Sequence, residues 1–194
     1  MKTLRFLPLA LLLAAPARPL AAQSTAPAAP AATPAAPAAT PPPAWPDHTR
    51  ALPALLRAVP VGLAMSHDPN PVYPQPDPAQ PGTFAWKHST TVRAEVADLQ
   101  VVECGSFIWY DATGWHANLH ETPAEFAELF ECPGGRLRKG RAYTFKRNYR
   151  YATADHLYGG DALWYVLAKD AQGRLYKGWA LVETESGPRP AAGR

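Results

Sequence analysis

Cysteine is scarce in this chain of 194 residues: there are two, Cys104 and Cys132, and no CxxC pair. That excludes the knuckle-type zinc modules, which need closely spaced thiolates. Long apolar runs are also missing. After Ala15 nothing approaches the about 20 residues of a permanent membrane helix. Net charge is a third shortage. The chain carries 19 basic and 16 acidic residues, but Lys2, Arg5 and Arg18 lie in a leader, which leaves 16 against 16. The basic pI therefore belongs to the precursor and gives no case for nucleic-acid binding. Proline, finally, is unevenly spread. Sixteen of the 23 prolines fall between Gln23 and Gly82, and only Pro123 and Pro133 fall between Thr83 and Gly187.

What is there begins with export. Lys2 and Arg5 precede the apolar run Phe6 to Ala15, and Leu20-Ala21-Ala22 offers a small-residue cleavage site before Gln23. This pattern predicts a cleavable signal peptide over residues 1–22 and a secreted or periplasmic mature protein without a transmembrane segment. No cysteine follows the cleavage site, so a lipid anchor is not expected. Residues 23–46 form an Ala/Pro-rich tract, read as a disordered, semi-rigid linker because repeated Pro fixes φ and nothing in it can build a core. Residues 47–65 place Leu52, Leu55, Leu56 and Val59 near helical spacing, which predicts a short helix. Residues 66–82 return to Pro-rich extended chain, and residues 187–194 read as a disordered tail.

The folded part is expected over residues 83–186. Five of six Trp, seven of eight Tyr and five of six Phe lie beyond Thr83. Aromatic density in short alternating runs reads as β-structure, with strands near 84–96, 99–110, 141–152, 162–169 and 174–184. Asp111-Ala112-Thr113-Gly114 and Asp170-Ala171-Gln172-Gly173 punctuate two hairpins. One helix interrupts them: Thr122-Pro123-Ala124-Glu125 is a capping box. The predicted fold class is all-β, a small antiparallel β-sandwich or an SH3-like barrel with one short helix.

Four groups of residues carry candidate chemistry. Cys104 and Cys132, an even pair in an exported chain, predict one disulfide, a cross-link that stabilises by roughly 2–4 kcal/mol. The alternatives are two unpaired buried thiols, or a metal site in which His116 and His120 join the two thiolates. Against it, i and i+4 on a strand lie about 13 Å apart. A thiol hydrolase is the enzymatic alternative, with Cys104-Gly105-Ser106 as nucleophile region, His156 as base and Asn148 or Asp161 orienting it. A mid-strand cysteine, however, lacks the helix dipole that activates such thiols. Lastly, alternation on 142–151 places Tyr143, Phe145, Arg147, Tyr149 and Tyr151 on one face, where rings beside cations can stack a ligand. Trp115 is the further aromatic candidate. Around them, Glu121, Glu125, Glu128 and Glu131 segregate from Arg136, Arg138, Lys139, Arg141, Lys146, Arg147 and Arg150; the two sets either bind separately or neutralise each other.

The last fifty or so residues resemble bacterial SH3-like domains of exported proteins. Lys139-Gly140 before YTF, then Trp164-Tyr165-Val166, Gly173 in a turn and Gly178-Trp179-Ala180 carry the likeness; Arg147 to Asp161 departs from it. The resemblance implies a small barrel that binds cell-wall material or a protein partner and does no catalysis. Together these readings lead to an exported, non-catalytic binding module for a cell-wall polymer or envelope protein, with no cofactor.

Overall fold

A computed structural model describes residues 51–109 and 114–189. The predicted signal, the Ala/Pro linker, residues 111–113 of the first turn and the last five residues lie outside them.

Strands form where residues alternate. β3 (Thr83–Ala94) turns Trp86, His88, Thr90, Val92 and Ala94 inward and shows the residues between them to solvent. β1 (Leu63–Asp68) and β2 (Pro74–Pro76) pair antiparallel with successive parts of one edge of β3, and β7 (Ala142–Thr153) pairs with the other. The second sheet runs β5 (Trp115–Glu121), β4 (Leu99–Trp109), β8 (Gly160–Lys169), β9 (Leu175–Thr184), with the two-residue β6 (Arg136–Leu137) also on β4. The core lies between these two sheets: Leu63, Trp86 and Val92 meet Val101, Trp164 and Val166. The chain is thus an antiparallel β-sandwich.

α2 (Pro123–Leu129) starts with both halves of the capping box in place: Thr122 Oγ1 accepts from Glu125 N at 3.3 Å, and Glu125 accepts from Thr122 N at 2.8 Å. It presents Phe126, whose ring stacks on that of Phe130 with centroids 4.3 Å apart, into the core. The β8–β9 hairpin follows its turn chemistry as well. Asp170 Oδ1 accepts from Gln172 N and Arg174 N, both at 2.9 Å, and Gly173 supplies φ +80.

Two features differ from the sequence expectation. Residues 63–68 and 74–76 are strands of the first sheet, whereas 63–65 are expected at the end of a helix and 66–82 as Pro-rich extended chain; the short strand 74–76 keeps Pro74 and Pro76 because one side of an edge needs no donor. Of the helix expected over 47–65, the described residues 51–65 hold a single turn, α1 (Ala54–Arg57). It packs Leu56, Leu52 and Val59 against the second sheet and leaves Leu55 outside.

β9 would be an open edge, and residues 60–72 close it. Lys177 N donates to Pro60 O at 2.8 Å and Gly62 N to Lys177 O at 3.0 Å. Further along, Val72 N donates to Glu183 O and Glu185 N to Val72 O. Between these points side chains imitate backbone. Asn70 Nδ2 donates to Leu181 O at 3.0 Å, and Asn70 Oδ1 accepts from Glu183 N at 2.9 Å. Gly178 is required here, since a Cβ would lie 2.7 Å from Leu63 Cβ.

His67 completes this clasp. Its Nδ1 meets Thr90 Oγ1 at 2.9 Å and its Nε2 meets Ala180 O at 3.3 Å, while Asn148 Nδ2 donates to the same Thr90 oxygen at 2.8 Å. The His88 ring lies edge-on to His67 with centroids 5.5 Å apart, and neither of its nitrogens has a hydrogen-bond partner. Burial pushes both imidazoles down to about 4; for His67 the neighbouring His88 adds to this. The unfolded chain, with ordinary His values near 6.5, therefore binds more protons than the folded one across this interval. Stability should be full above about pH 6.5 and fall as pH drops toward 4, by on the order of 3 kcal/mol per ring. Denaturant titrations between pH 7 and 4 measure this. In His88→Leu the pH-7 midpoint should hold or rise and the acid loss should be about halved.

Candidate functional site

Outward-facing residues of β4 and β5 set up the site. Trp109 pairs with Trp115 across the two strands, their rings edge-to-face with centroids 5.3 Å apart. Two residues along β4, Phe107 lies 5.4 Å from the Tyr165 ring on β8. The wall opposite these rings is the 51–59 strap. Its helical turn seats Leu56 fully buried among Leu163, Tyr165 and Leu167. Three hydrogen bonds fix the strap: Trp115 Nε1 to Ala51 O at 3.0 Å, Lys177 Nζ to Leu56 O at 2.5 Å, and Arg57 Nε to Leu52 O at 2.8 Å. Between strap and strands runs an open groove of about 490 Å³, with Phe107, Trp109 and Trp115 on one side and Pro53, Leu55 and Arg57 on the other.

A polar constellation adjoins the Phe107 end. Gly105 has no side chain, and a Cβ there would lie 2.8 Å from the Tyr165 hydroxyl, so the Tyr165 ring crosses β4 over it. Tyr165 Oη then donates to Glu103 Oε1 at 2.5 Å, and His120 Nε2 lies 3.6 Å from the same oxygen. Burial, and then the bond to the Glu103 carboxylate, hold the Tyr165 hydroxyl well above the usual range for a phenol. This group acts as a fixed hydrogen-bond donor with a carboxylate beside it. A cleft with mostly apolar walls and a few convergent polar groups is the ordinary form of a binding site.

The sequence candidates separate. Trp115 belongs to the groove. On β7 a bulge intervenes: Thr90 pairs with Phe145 and His88 with Asn148, so Lys146 and Arg147 together occupy one register step. One extra residue reverses the facing of everything beyond it. Tyr143 and Phe145 therefore point inward, and the buried Tyr143 hydroxyl accepts from Arg138 N at 3.3 Å. Tyr149 and Tyr151 point outward with ring centroids 6.4 Å apart, near the exposed Arg147. Arg150 turns in and lays its guanidinium 4.3 Å over the Trp86 ring. The five residues thus do not form one face. Of the segregated charges, Lys146 and Glu131 meet at 3.0 Å, joining the two sets at one point.

The expected disulfide is absent: Cys104 and Cys132 are separate, buried thiols. Cys104 projects from mid-β4 into the core between the sheets, while Cys132 Sγ donates to Arg136 O at 3.3 Å across the Pro-Gly-Gly turn. Each sulfur thus has its own seat. The four-residue metal set does not assemble either. A bulge at Asn118 pairs His116 with Ile108 but His120 with Gly105, an odd spacing on β4 that sends the two rings to opposite faces. Among the described residues, no group of three or more His, Cys, Asp or Glu is placed to hold a metal. The hydrolase set fails as chemistry. Burial, then Glu121 and Glu103, push the Cys104 thiol up to about 12; His156 is occupied by Thr153 at 3.1 Å, and Asn148 by Thr90.

Sequence reasoning missed Phe107, Trp109 and Arg57 in the groove and Glu103 and Tyr165 beside it. The period-two pattern of 103, 105, 107 and 109 held the signal, since it puts a carboxylate, a glycine and two rings on one strand face.

No protein-family model matches the chain, and no curated protein matches it. Among solved structures, the crystal structure of a Bordetella pertussis protein bearing the name ApaA shares 13% identity at a TM-score of 0.35, over 65% of this chain and 96% of that one. A likeness this slight supports no argument about this chain.

The thiols give a direct check. Burial also raises Cys132 to about 11. At pH 8 the native protein should leave both sulfurs unreacted toward an aromatic disulfide reagent, and denaturant should release two reactive thiols. A denatured protein showing none would establish a bridge.

Proposed function

We propose that this protein is an exported, non-catalytic binding module whose ligand seat is the aromatic groove between the 51–59 strap and strands β4 and β5. The observation that carries the reading is the combination of ring faces with a polar rim. Phe107, Trp109 and Trp115 line an open channel, Arg57 stands on its far wall, and the Tyr165–Glu103–His120 set adjoins one end. The signal-like leader supplies the reading of export.

The ligand class that suits this lining is a glycan chain of the cell wall. Sugar rings present alternating C–H faces and hydroxyls. The former pack on indole and phenyl rings, and the latter find an acceptor at Glu103 and donors at Arg57 and His120. The Tyr149–Tyr151 pair offers rings near Arg147 but lies on the other sheet from the strap and its groove, so the groove is preferred.

Titrating soluble N-acetylated glucosamine oligomers into the protein while following tryptophan emission tests this. Saturable binding is expected, with Trp109→Ala and Phe107→Ala each weakening it about tenfold, equal to roughly 1.4 kcal/mol. Retention of an envelope protein but no glycan, or unchanged affinity in both variants, would contradict it.

A further inference from the structure

A second surface, separate from the aromatic groove and independent of the glycan reading, is built around three cations that enter no ion pair among the described residues. At the other end of the five-stranded sheet, Gln100 on β4 pairs with Arg136 on β6 on one side and with Lys169 on β8 on the other. Residues directly opposite one another in adjacent strands project to the same face. Arg136 and Lys169 thus flank Gln100 on one face, roughly 10 Å apart at two strand spacings. Arg138 follows Arg136 on that face, because Leu137 between them is buried.

These cations line a groove of about 410 Å³. Its two carboxylates are already engaged. Asp170, its side chain only 2% exposed, accepts from Arg174 Nε at 2.7 Å as well as from the turn amides. Asp98 Oδ1 accepts from Lys139 N at 2.8 Å. Gln100 Nε2 is held by Gly134 O at 2.8 Å, so it does not compete for an anion. Among the described residues, the side chains of Arg136, Arg138 and Lys169 enter no ion pair and no hydrogen bond, whereas neighbouring Arg174 is tied to Asp170. Beneath them Leu99 and Leu137 form a buried apolar floor, which strengthens the local field.

We infer that Arg136, Arg138 and Lys169 form an anion seat for a phosphate group, carried by a free phosphate or by a lipid headgroup. Phosphate is favoured over a carboxylate because it offers enough oxygens for two guanidinium forks and an ammonium at once. The hydropathic pattern explains how the site arises: β6 is a two-residue strand that buries one Leu and leaves both flanking Arg side chains outside.

Two probes test this on the full chain. Inorganic phosphate is titrated at constant ionic strength, with chloride as the control anion, and followed by amide chemical shifts; sedimentation with phosphatidylglycerol vesicles is compared with phosphatidylcholine vesicles. Saturable phosphate binding that weakens tenfold or more in Arg136→Gln/Arg138→Gln, but not in Lys146→Gln/Arg147→Gln, supports the seat. Vesicle binding lost in the same first variant, without binding of free phosphate, supports it with the lipid headgroup as source. No binding to either probe, or equal binding in the two variants, would overturn it. All four substitutions are at exposed positions, and unchanged melting of both variants confirms that they report on binding.

Discussion

A strand at the edge of a sheet leaves a row of amides and carbonyls without partners, and the outer edge of β9 is where this fold must deal with that requirement. Residues 60–72 do so with backbone at both ends and with Asn70 and His67 between. Since β1 belongs to the other sheet, the same segment that seals β9 also fastens the two layers together. Gly178 lets β1 come close enough for this, and His67 reaches from Thr90 in one sheet to Ala180 in the other. An edge closed in this way is also withheld from intermolecular strand pairing.

Because β9 holds residues 60–62, the chain just before them has to run back over the outer face of the five-stranded sheet. There Leu56 is fully buried, a contribution of roughly 1.5–3 kcal/mol. Lys177 spans both tasks: its backbone pairs with Pro60 and Gly62, while its ammonium caps Leu56 O at the end of the helical turn. The aromatic groove is therefore a by-product of edge closure. The strap covers Leu163 and Leu167 and touches Trp115 through Ala51, and the channel is what remains open between it and the rings of Phe107, Trp109 and Trp115.

Where neighbouring residues decide the structure, the sequence could be read. The capping box at Thr122, the Asp170 to Gly173 turn and the five long strands each announce themselves within about a dozen residues. The phase of β7 could not be read, because the Lys146–Arg147 bulge leaves the alternation of Tyr143, Phe145, Arg147, Tyr149 and Tyr151 intact in sequence while reversing it in space. His67 and His88 stand 21 residues apart in the chain, and only the pairing of β1 with β3 brings them together. The disulfide was inferred from parity and compartment, and neither carries geometric information. Proline density hid β2, since Pro argues against central strands but says little about short edge strands, while the start of β1 fell inside the expected helix over 47–65.

The site divides in the same way. Trp115 could be singled out as an aromatic beside a turn, but its value depends on Ala51 and Pro53, more than sixty positions away in sequence. The anion seat needed the register of three strands. The claim on which the account rests is that residues 51–62 belong to the folded domain and are held by β9. Amide hydrogen exchange of Gly62 and Lys177 in the native protein measures this most directly. The account predicts protection of both within about tenfold of the Val166 amide at the centre of β8. Exchange of Gly62 and Lys177 at rates typical of unstructured chain, with Val166 still protected, would contradict it.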